Sequence, residues 1–199
     1  MLVYLETERL ILRRFTPADV DHLVDLDGDP EVMRYLTGGD GTPRTEIERD
    51  ILPRFLGYYE RGDDFGFWAA HERASGEFLG WFSFRPHDDS PPDEASLGYR
   101  LRRAAWGRGY ATEGVRALIR KGFAELGLRR VIANTYEYNL ASRRVMEKAG
   151  LTLARRYRLT TDDLAAGDTT HNEAAEVWDG DEVEYALLKE DWERAEVAP

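Results

Sequence analysis

The chain has 199 residues, of which 38 are Asp or Glu and 27 are Lys or Arg, and its formal net charge is −11. This length predicts one folded domain over residues 1–199, and a hydrophobic content of 42% predicts a packed core and excludes wholesale disorder. The absence of cysteine excludes disulfide frameworks, thiolate nucleophiles and Cys-based zinc sites, and the acidic balance argues against nucleic acid or membrane as partner.

The first elements are predicted from residues 1–27. The opening MLVYLETERL has neither the basic region nor the apolar run of a signal peptide, and no stretch has the length of a membrane span, so a cytoplasmic location is expected. Residues 9–15 alternate in polarity and predict the first strand. Thr16 then offers an N-cap and Pro17 a first helical residue, which predicts an amphipathic helix as far as Asp27.

A second helix is predicted after the glycine-rich loop of residues 36–44. Thr45 and Glu48 have the spacing of a capping box, and the apolar residues that follow share one helical face. Pro53 falls inside this helix, where its missing N–H is expected to kink the helix or split it in two.

The remaining elements alternate between strands and helices. Strands are predicted at residues 65–71, 78–84, 95–101, 130–135, 151–158 and 183–188, helices at 113–126 and 140–149, and a loop at 160–176. An acidic tail follows the last strand. The order β-αα-βββ-α-β-α-β-β predicts an α/β or α+β protein with a mixed sheet.

The most informative segment, Trp106-Gly107-Arg108-Gly109-Tyr110-Ala111-Thr112, lies between a predicted strand and a long helix. Its two glycines allow backbone angles that turn amides toward a ligand, and the start of the helix adds its positive end, which is typical of a phosphate pocket. Thr112 stands where the dinucleotide fingerprint has its third glycine, and no Gly-Lys-Ser/Thr sequence follows, so neither standard nucleotide motif is present. A tight connecting turn explains this segment alone equally well.

Motifs elsewhere in the chain favour the phosphate pocket over a simple connecting turn. Asn139-Leu140-Ala141-Ser142 and Glu147-Lys148-Ala149-Gly150-Leu151 lie downstream, and the chain also contains LETERLILRRF, LGYRL before WGRGYATEG, and EYALLKEDW. With these motifs the chain resembles, over essentially its whole length, the GNAT superfamily of acyl-CoA N-acyltransferases. It is most similar to the Rim-type branch, which contains the ribosomal-protein alanine acetyltransferases. The resemblance implies the GNAT fold, in which helices cover both faces of a mixed, mostly antiparallel sheet of about seven strands. It also implies acetyl-CoA as acyl donor.

The resemblance implies cofactor contacts at matching positions. The pyrophosphate loop of the family falls on the segment from Trp106 to Ala111, although Trp106 departs from the Gln or Arg usual at its first position. The strand with Tyr99 is expected to separate from the next strand and to offer its backbone to pantetheine. Asn139 is expected to hold the pantetheine arm. The expected cofactor-binding residues are Tyr99, Leu101, Arg102, Arg103, Trp106, Gly107, Arg108, Gly109, Tyr110, Ala111, Thr112, Asn139 and Ser142.

The reaction needs a neutral amine that attacks the thioester and a donor for the leaving thiolate, for which Ser142 is the candidate. The Tyr that many relatives carry four residues after this Ser is Met146 here. The Glu that often precedes the L-G-Y segment in relatives is Ser96. Glu94, two residues earlier on the same strand face, and Glu137 are therefore the candidate bases.

Two functions remain open on the sequence alone. The first is acetyl transfer from acetyl-CoA to a primary amine, on a peptide N-terminus or a small molecule, directly within a ternary complex. The second is a catalytically degenerate domain that binds acyl-CoA as a sensor or interaction module. The four histidines lack metal-ligand spacing, so no metal is expected, and a monomer and a homodimer fit the sequence equally well.

Overall fold

The computed structural model describes residues 2–86, 91–158 and 180–197. Within them, eight strands form one sheet in the order β1-β2-β3-β4-β5-β6-β8-β7. Neighbouring strands are antiparallel, except that β5 and β6 run parallel. The strands are β1 (Val3–Glu6), β2 (Leu10–Arg14), β3 (Gly66–Glu72), β4 (Phe78–Arg85), β5 (Glu94–Leu101), β6 (Arg130–Tyr136), β7 (Thr152–Tyr157) and β8 (Glu182–Leu188).

Helices cover both faces of this sheet, which confirms the predicted mixed architecture. They are α1 (Val20–Asp27), α2 (Pro30–Met33), α3 (Arg44–Glu46), α4 (Leu52–Gly57), α5 (Tyr110–Ala124), α6 (Leu140–Lys148) and α7 (Lys189–Val197). None of the described helices is long and apolar enough to cross a membrane. The predicted loop at 160–176 lies outside the described residues.

Two hydrophobic layers hold the helices against the sheet. On one face, Phe82 and Phe84 of β4 pack against α5, where a side chain at Gly114 would place its Cβ 2.3 Å from the Phe82 ring. On the other face, the ring of Phe55 in α4 stacks on Phe67 of β3 at 3.8 Å. Each layer buries apolar surface from a different side, so the sheet forms the middle of the molecule.

Several local predictions need correction. The sheet has eight strands rather than about seven, because Val3–Glu6 pairs with β2 as an edge strand. The predicted acidic tail is helix α7, whose Trp192 packs against Phe123 with ring centroids 5.6 Å apart. The capping box of Thr45 and Glu48 is wrong, because Pro43 is the N-cap and Thr45 already lies inside α3.

The predicted effect of Pro53 takes a specific form. A π-helical turn over Ile47–Ile51 separates α3 from α4, and the Leu52 N–H donates to the Ile47 carbonyl five residues back. This change in hydrogen-bond register places Pro53 in the first turn of α4, where its missing N–H costs little. At the N-terminal helix, Thr16 caps a 3-10 turn over Pro17–Asp19 that leads directly into α1, and α1 ends at Asp27 as predicted.

Candidate active site

The glycine-rich segment connects β5 to α5, as predicted. Gly107 and Gly109 have φ angles of +70° and +84°, which side-chain-bearing residues rarely adopt, and Gly109 is the N-cap of α5. Glycine has no side chain to cap the first turn, so the amides of Tyr110, Ala111 and Thr112 point out of the helix start. Free amides and a positive helix end are the features by which helix starts bind anions, so this geometry is suited to a phosphate group.

A clamp from the N-terminal strands fixes this loop. Arg9 donates from Nη1 to the Arg108 carbonyl at 2.9 Å and from Nε to Glu113 Oε2 at 2.7 Å. Burial opposes ionisation of Glu113, but hydrogen bonds from Thr7 and Arg9 outweigh it and lower the pKa of this carboxyl group. On the opposite side, the Tyr110 hydroxyl donates to Glu72. The loop is therefore held in one conformation before any ligand binds.

Three arginines flank the loop, and each forms an ion pair at the surface. Arg102 binds Glu77 at 3.0 Å, Arg103 binds Asp29 at 3.5 Å and Arg108 binds Glu72 at 3.3 Å. Their guanidinium groups stay 40–64% exposed. Because exposed ion pairs contribute little energy, these cations can exchange their partners for phosphate oxygens.

Strands β5 and β6 separate along their length. They pair only at Glu94↔Arg130, Ala95↔Val131 and Ser96↔Ile132, although the strands continue to Leu101 and Tyr136. Beyond Ser96, the residues Gly98 to Arg100 are partly exposed, and Asn134 of β6 is exposed in the middle of the sheet. The gap therefore offers unpaired backbone groups to an amide-containing chain such as pantetheine. The uncapped helix start and this gap fit the two polar parts of CoA.

Ser142 and Tyr99 meet at this gap. The Tyr99 hydroxyl lies 2.8 Å from Ser142 Oγ and donates to the Ser142 carbonyl at 3.1 Å. Burial raises the pKa of Tyr99 well above its ordinary value, so this phenol keeps its proton. Asn139 is the N-cap of α6, and its Oδ1 accepts the Ser142 N–H at 3.1 Å. The hydroxyl groups of Tyr99 and Ser142 therefore lie next to each other, beside the place where the resemblance expects the CoA thiol.

The structure does not bring Glu94 to Ser142. Glu94 is the first residue of β5, and five residues at about 3.3 Å each separate it from Tyr99. Its carboxylate binds Arg130, which also donates to Glu184 at 2.9 Å. Glu94 therefore lies in a buried ion pair at the far end of the strand, and its role as base stays a prediction.

Glu137 follows the last residue of β6 and is also committed to structural contacts. Its Oε1 accepts the Asp181 N–H at 2.9 Å and its Oε2 accepts from Arg156 at 2.8 Å. Its backbone carbonyl accepts from Arg143 at 3.0 Å. These bonds tie the end of β6 to β7, β8 and α6, and the role of Glu137 as base stays a prediction.

The sheet face opposite Ser142 is lined by polar side chains. Arg100 of β5 forms a buried ion pair of 2.6 Å with Asp27 at the end of α1, and its guanidinium lies over the Trp81 ring. Asp27 Oδ1, Trp81 Nε1 and Ser83 Oγ are buried without a hydrogen-bond partner in the described residues. Among those residues, no group of three or more acidic or His side chains lies close enough to hold a metal ion.

The sequence prediction missed two features of this site. The side chain of Tyr99 supplies a phenol next to Ser142, whereas the position where relatives have Tyr is the buried Met146. The sequence could have indicated the orientation of Tyr99, because alternate residues of a strand share one face and Tyr99 therefore lies on the same face as Leu97 and Leu101. The second feature is Glu182 at the start of β8, which is buried and carries a raised pKa.

Comparison with known proteins agrees with this geometry. The profile of the family described as Acetyltransferase (GNAT) domain matches residues 9–152. The chain is 34% identical over 197 residues to the FsC-acetyl coenzyme A-N(2)-transacetylase of Aspergillus fumigatus, with 96% of this chain and 78% of that protein covered.

Solved structures share the fold. A GNAT-family acetyltransferase from Bacillus anthracis superimposes with a TM-score of 0.71 at 23% identity, covering 96% of this chain and 99% of that one. RimL, a ribosomal L7/L12 alpha-N-protein acetyltransferase solved with coenzyme A, gives a TM-score of 0.70 at 19% identity, covering 94% of this chain and 97% of that one. The matched profile and the similar sequence confirm the resemblance, and the chain belongs to the GNAT family as an N-acetyltransferase.

Proposed function

We propose that this N-acetyltransferase moves an acetyl group from acetyl-CoA to the primary amine of a small cationic molecule, directly and within a ternary complex. The observation that carries the proposal is the Tyr99–Ser142 hydroxyl pair beside the gap between β5 and β6. With no cysteine in the chain, a covalent acetyl-thiol intermediate on the protein has no residue to form on.

Each step has a group available to it. The start of α5 binds the pyrophosphate, and the unpaired edges of β5 and β6 hold the pantetheine amides in the gap. The amine attacks the thioester carbonyl, and a backbone N–H of β5 stabilises the oxyanion that forms. Ser142 then donates its proton to the leaving thiolate and recovers one from solvent, while the neutral Tyr99 hydroxyl holds the Ser142 side chain in place.

Two observations favour a small amine over a protein N-terminus as acceptor. The relative from Aspergillus fumigatus, 34% identical over most of the chain, is named for transfer to an N(2) nitrogen. RimL, named for a ribosomal protein, is only 19% identical. The net charge of −11 additionally attracts cationic molecules, an effect that salt weakens.

A CoA-release assay tests the proposal. The enzyme is incubated with acetyl-CoA and, separately, putrescine, tyramine, lysine methyl ester or a short peptide with a free Ala N-terminus, and products are identified by mass spectrometry. We expect turnover with at least one small amine and slower turnover with the peptide. Faster turnover with the peptide would transfer the assignment to protein N-termini. CoA binding without acetylation of any amine would instead favour the sensor or interaction module.

A further inference from the structure

Glu182 lies on the sheet face opposite the Tyr99–Ser142 pair. It is the first residue of β8, and the ladder registers pair it with Tyr136 of β6 and Tyr157 of β7. Directly paired residues point to the same face, so Glu182 shares its face with the exposed Asn134, two residues before Tyr136. Paired Cα atoms lie about 5 Å apart, which puts Glu182 one strand away from the gap between β5 and β6.

Glu182 differs from the other buried carboxylates of this face because nothing in the described chain neutralises it. Its exposed fraction is 5%, yet no described side chain or backbone amide donates to its carboxylate. Glu184, two residues further on the same face, binds Arg130 and Arg155 at 2.9 Å. Glu94 is likewise paired with Arg130. A buried carboxylate without a partner is costly, and such a group is typical of functional positions.

The surroundings of Glu182 suit a cationic ligand. Tyr136 packs against Tyr138 and Tyr35, with ring centroids 5.3 Å and 5.9 Å away. Tyr157 lies on the other side of Glu182, and the guanidinium of Arg155 stacks 4.5 Å from its ring while it pairs with Glu184. Aromatic faces attract ammonium groups, and a nearby carboxylate adds charge and a hydrogen-bond acceptor.

We propose that Glu182 binds the ammonium group of the acceptor and removes its proton, so that the neutral amine can cross to the thioester in the gap. This inference rests on the proposed function and names Glu182 as a third candidate proton acceptor beside Glu94 and Glu137. In the balanced reaction, the ammonium gives one proton to Glu182 and the amine nitrogen forms the amide bond. As the C–N bond forms and the C–S bond breaks, the second proton leaves nitrogen for solvent and the thiolate takes the proton of Ser142. Ser142 recovers a proton from solvent and Glu182 returns its proton to solvent, so that one proton is released in total.

The acidity of Glu182 agrees with this role. Burial raises its pKa to about 7, within about one unit of an α-ammonium group (about 7.7–8.0) and closer than an ordinary carboxylate to an alkyl ammonium (about 10.4), so proton transfer to Glu182 costs less than transfer to an ordinary carboxylate. The ionisable groups facing it are Tyr136 from β6, Tyr157 and Arg155 from β7, and Glu184 on its own strand. Arg155 is paired with Glu184 and does not neutralise Glu182.

The test is a pH–rate profile of Glu182→Gln at saturating acetyl-CoA, with the amine that the wild type acetylates fastest. We expect kcat/KM of the wild type to rise with pH through about 7, and the variant to be about 100-fold slower at pH 7. The difference should shrink toward pH 9, where free amine forms without help, and the Kd for CoA should not change. Glu8→Gln, which removes an exposed carboxylate outside the candidate site, is the control and should keep the wild-type profile.

The possible outcomes separate the two claims. If the wild type turns over but Glu182→Gln gives a superimposable profile, Glu182 is not the proton acceptor and the proposed function stands. If the variant loses activity equally at every pH and its CoA affinity falls, Glu182 is structural and the inference is overturned. If the wild type acetylates no amine, the proposed function is refuted, and the inference with it.

Discussion

The buried position of Glu182 predicts that this one carboxylate destabilises the fold at neutral pH. Its pKa rises from the ordinary 4.5 to about 7, so the folded chain holds the proton more tightly than the unfolded chain. Stability from this group is then complete below pH 4.5 and is lost as pH rises toward 7. Each pH unit in this window corresponds to about 1.4 kcal/mol, which gives about 3 kcal/mol in total.

Glu182→Gln removes this dependence, because an amide does not titrate. We expect the unfolding free energy of the variant, relative to the wild type, to increase from pH 4.5 to pH 7 and then to level off. Urea denaturation of both proteins at half-unit pH steps measures the difference directly, and Glu8→Gln at an exposed position is the control. A difference that stays constant between pH 5 and pH 8 would refute the reasoning.

Three further variants test the rest of the site. Gly109→Val forces a β-branched residue to a φ of +84° and crowds Arg9, so calorimetry should show a CoA Kd raised at least tenfold in a folded protein; unchanged affinity would remove the loop from the CoA site. Ser142→Ala should lower kcat by a factor of about 10 to 10⁴ with little change in CoA affinity, and turnover within twofold of wild type would contradict its role as donor. Glu94→Gln should lower the melting temperature by breaking the pair with Arg130 without reshaping the pH–rate profile, and a lost acidic limb would support Glu94 as the base.

The sequence predicted those parts of the protein whose signals are local. The hairpin of β3 and β4, the loop at Gly107 and Gly109, and the N-cap of α1 each depend on a short run of residues. The edge strand β1 was missed because four residues carry too little periodicity, and pairing with β2 stabilises them. Helix α7 was missed because its mostly charged sequence carries little apolar periodicity, although Trp192 packs against Phe123 of the core.

The sequence left the choice between Glu94 and Glu137 as base open for a physical reason. The role of a carboxylate depends on its partners, and Arg130, which neutralises Glu94, lies 36 residues away in the sequence. The contacts of Glu137 with Asp181 and Arg156 are equally distant. The sequence alone does not distinguish Glu182 from the other acidic residues, which number 38 with it. Its burial, and the lack of a charged or hydrogen-bonding partner among the described residues, follow from the three-dimensional structure.

The gap between β5 and β6 limits how this enzyme can be inhibited. A molecule that joins CoA to an acceptor-like amine has to run through the sheet, because Ser142 lies on one face and Glu182 on the other. The linker of such a molecule passes between the backbones of β5 and β6. These strands pair at three positions, the last being Ser96 with Ile132, and separate beyond it. We therefore expect an unbranched linker with an amide at mid-length, which can bond to both strand edges, to bind more tightly than a branched or cyclic linker. With the acceptor at Glu182 as proposed, the separation of β5 and β6 selects among compounds that join CoA to an amine, in addition to the contacts that each end makes.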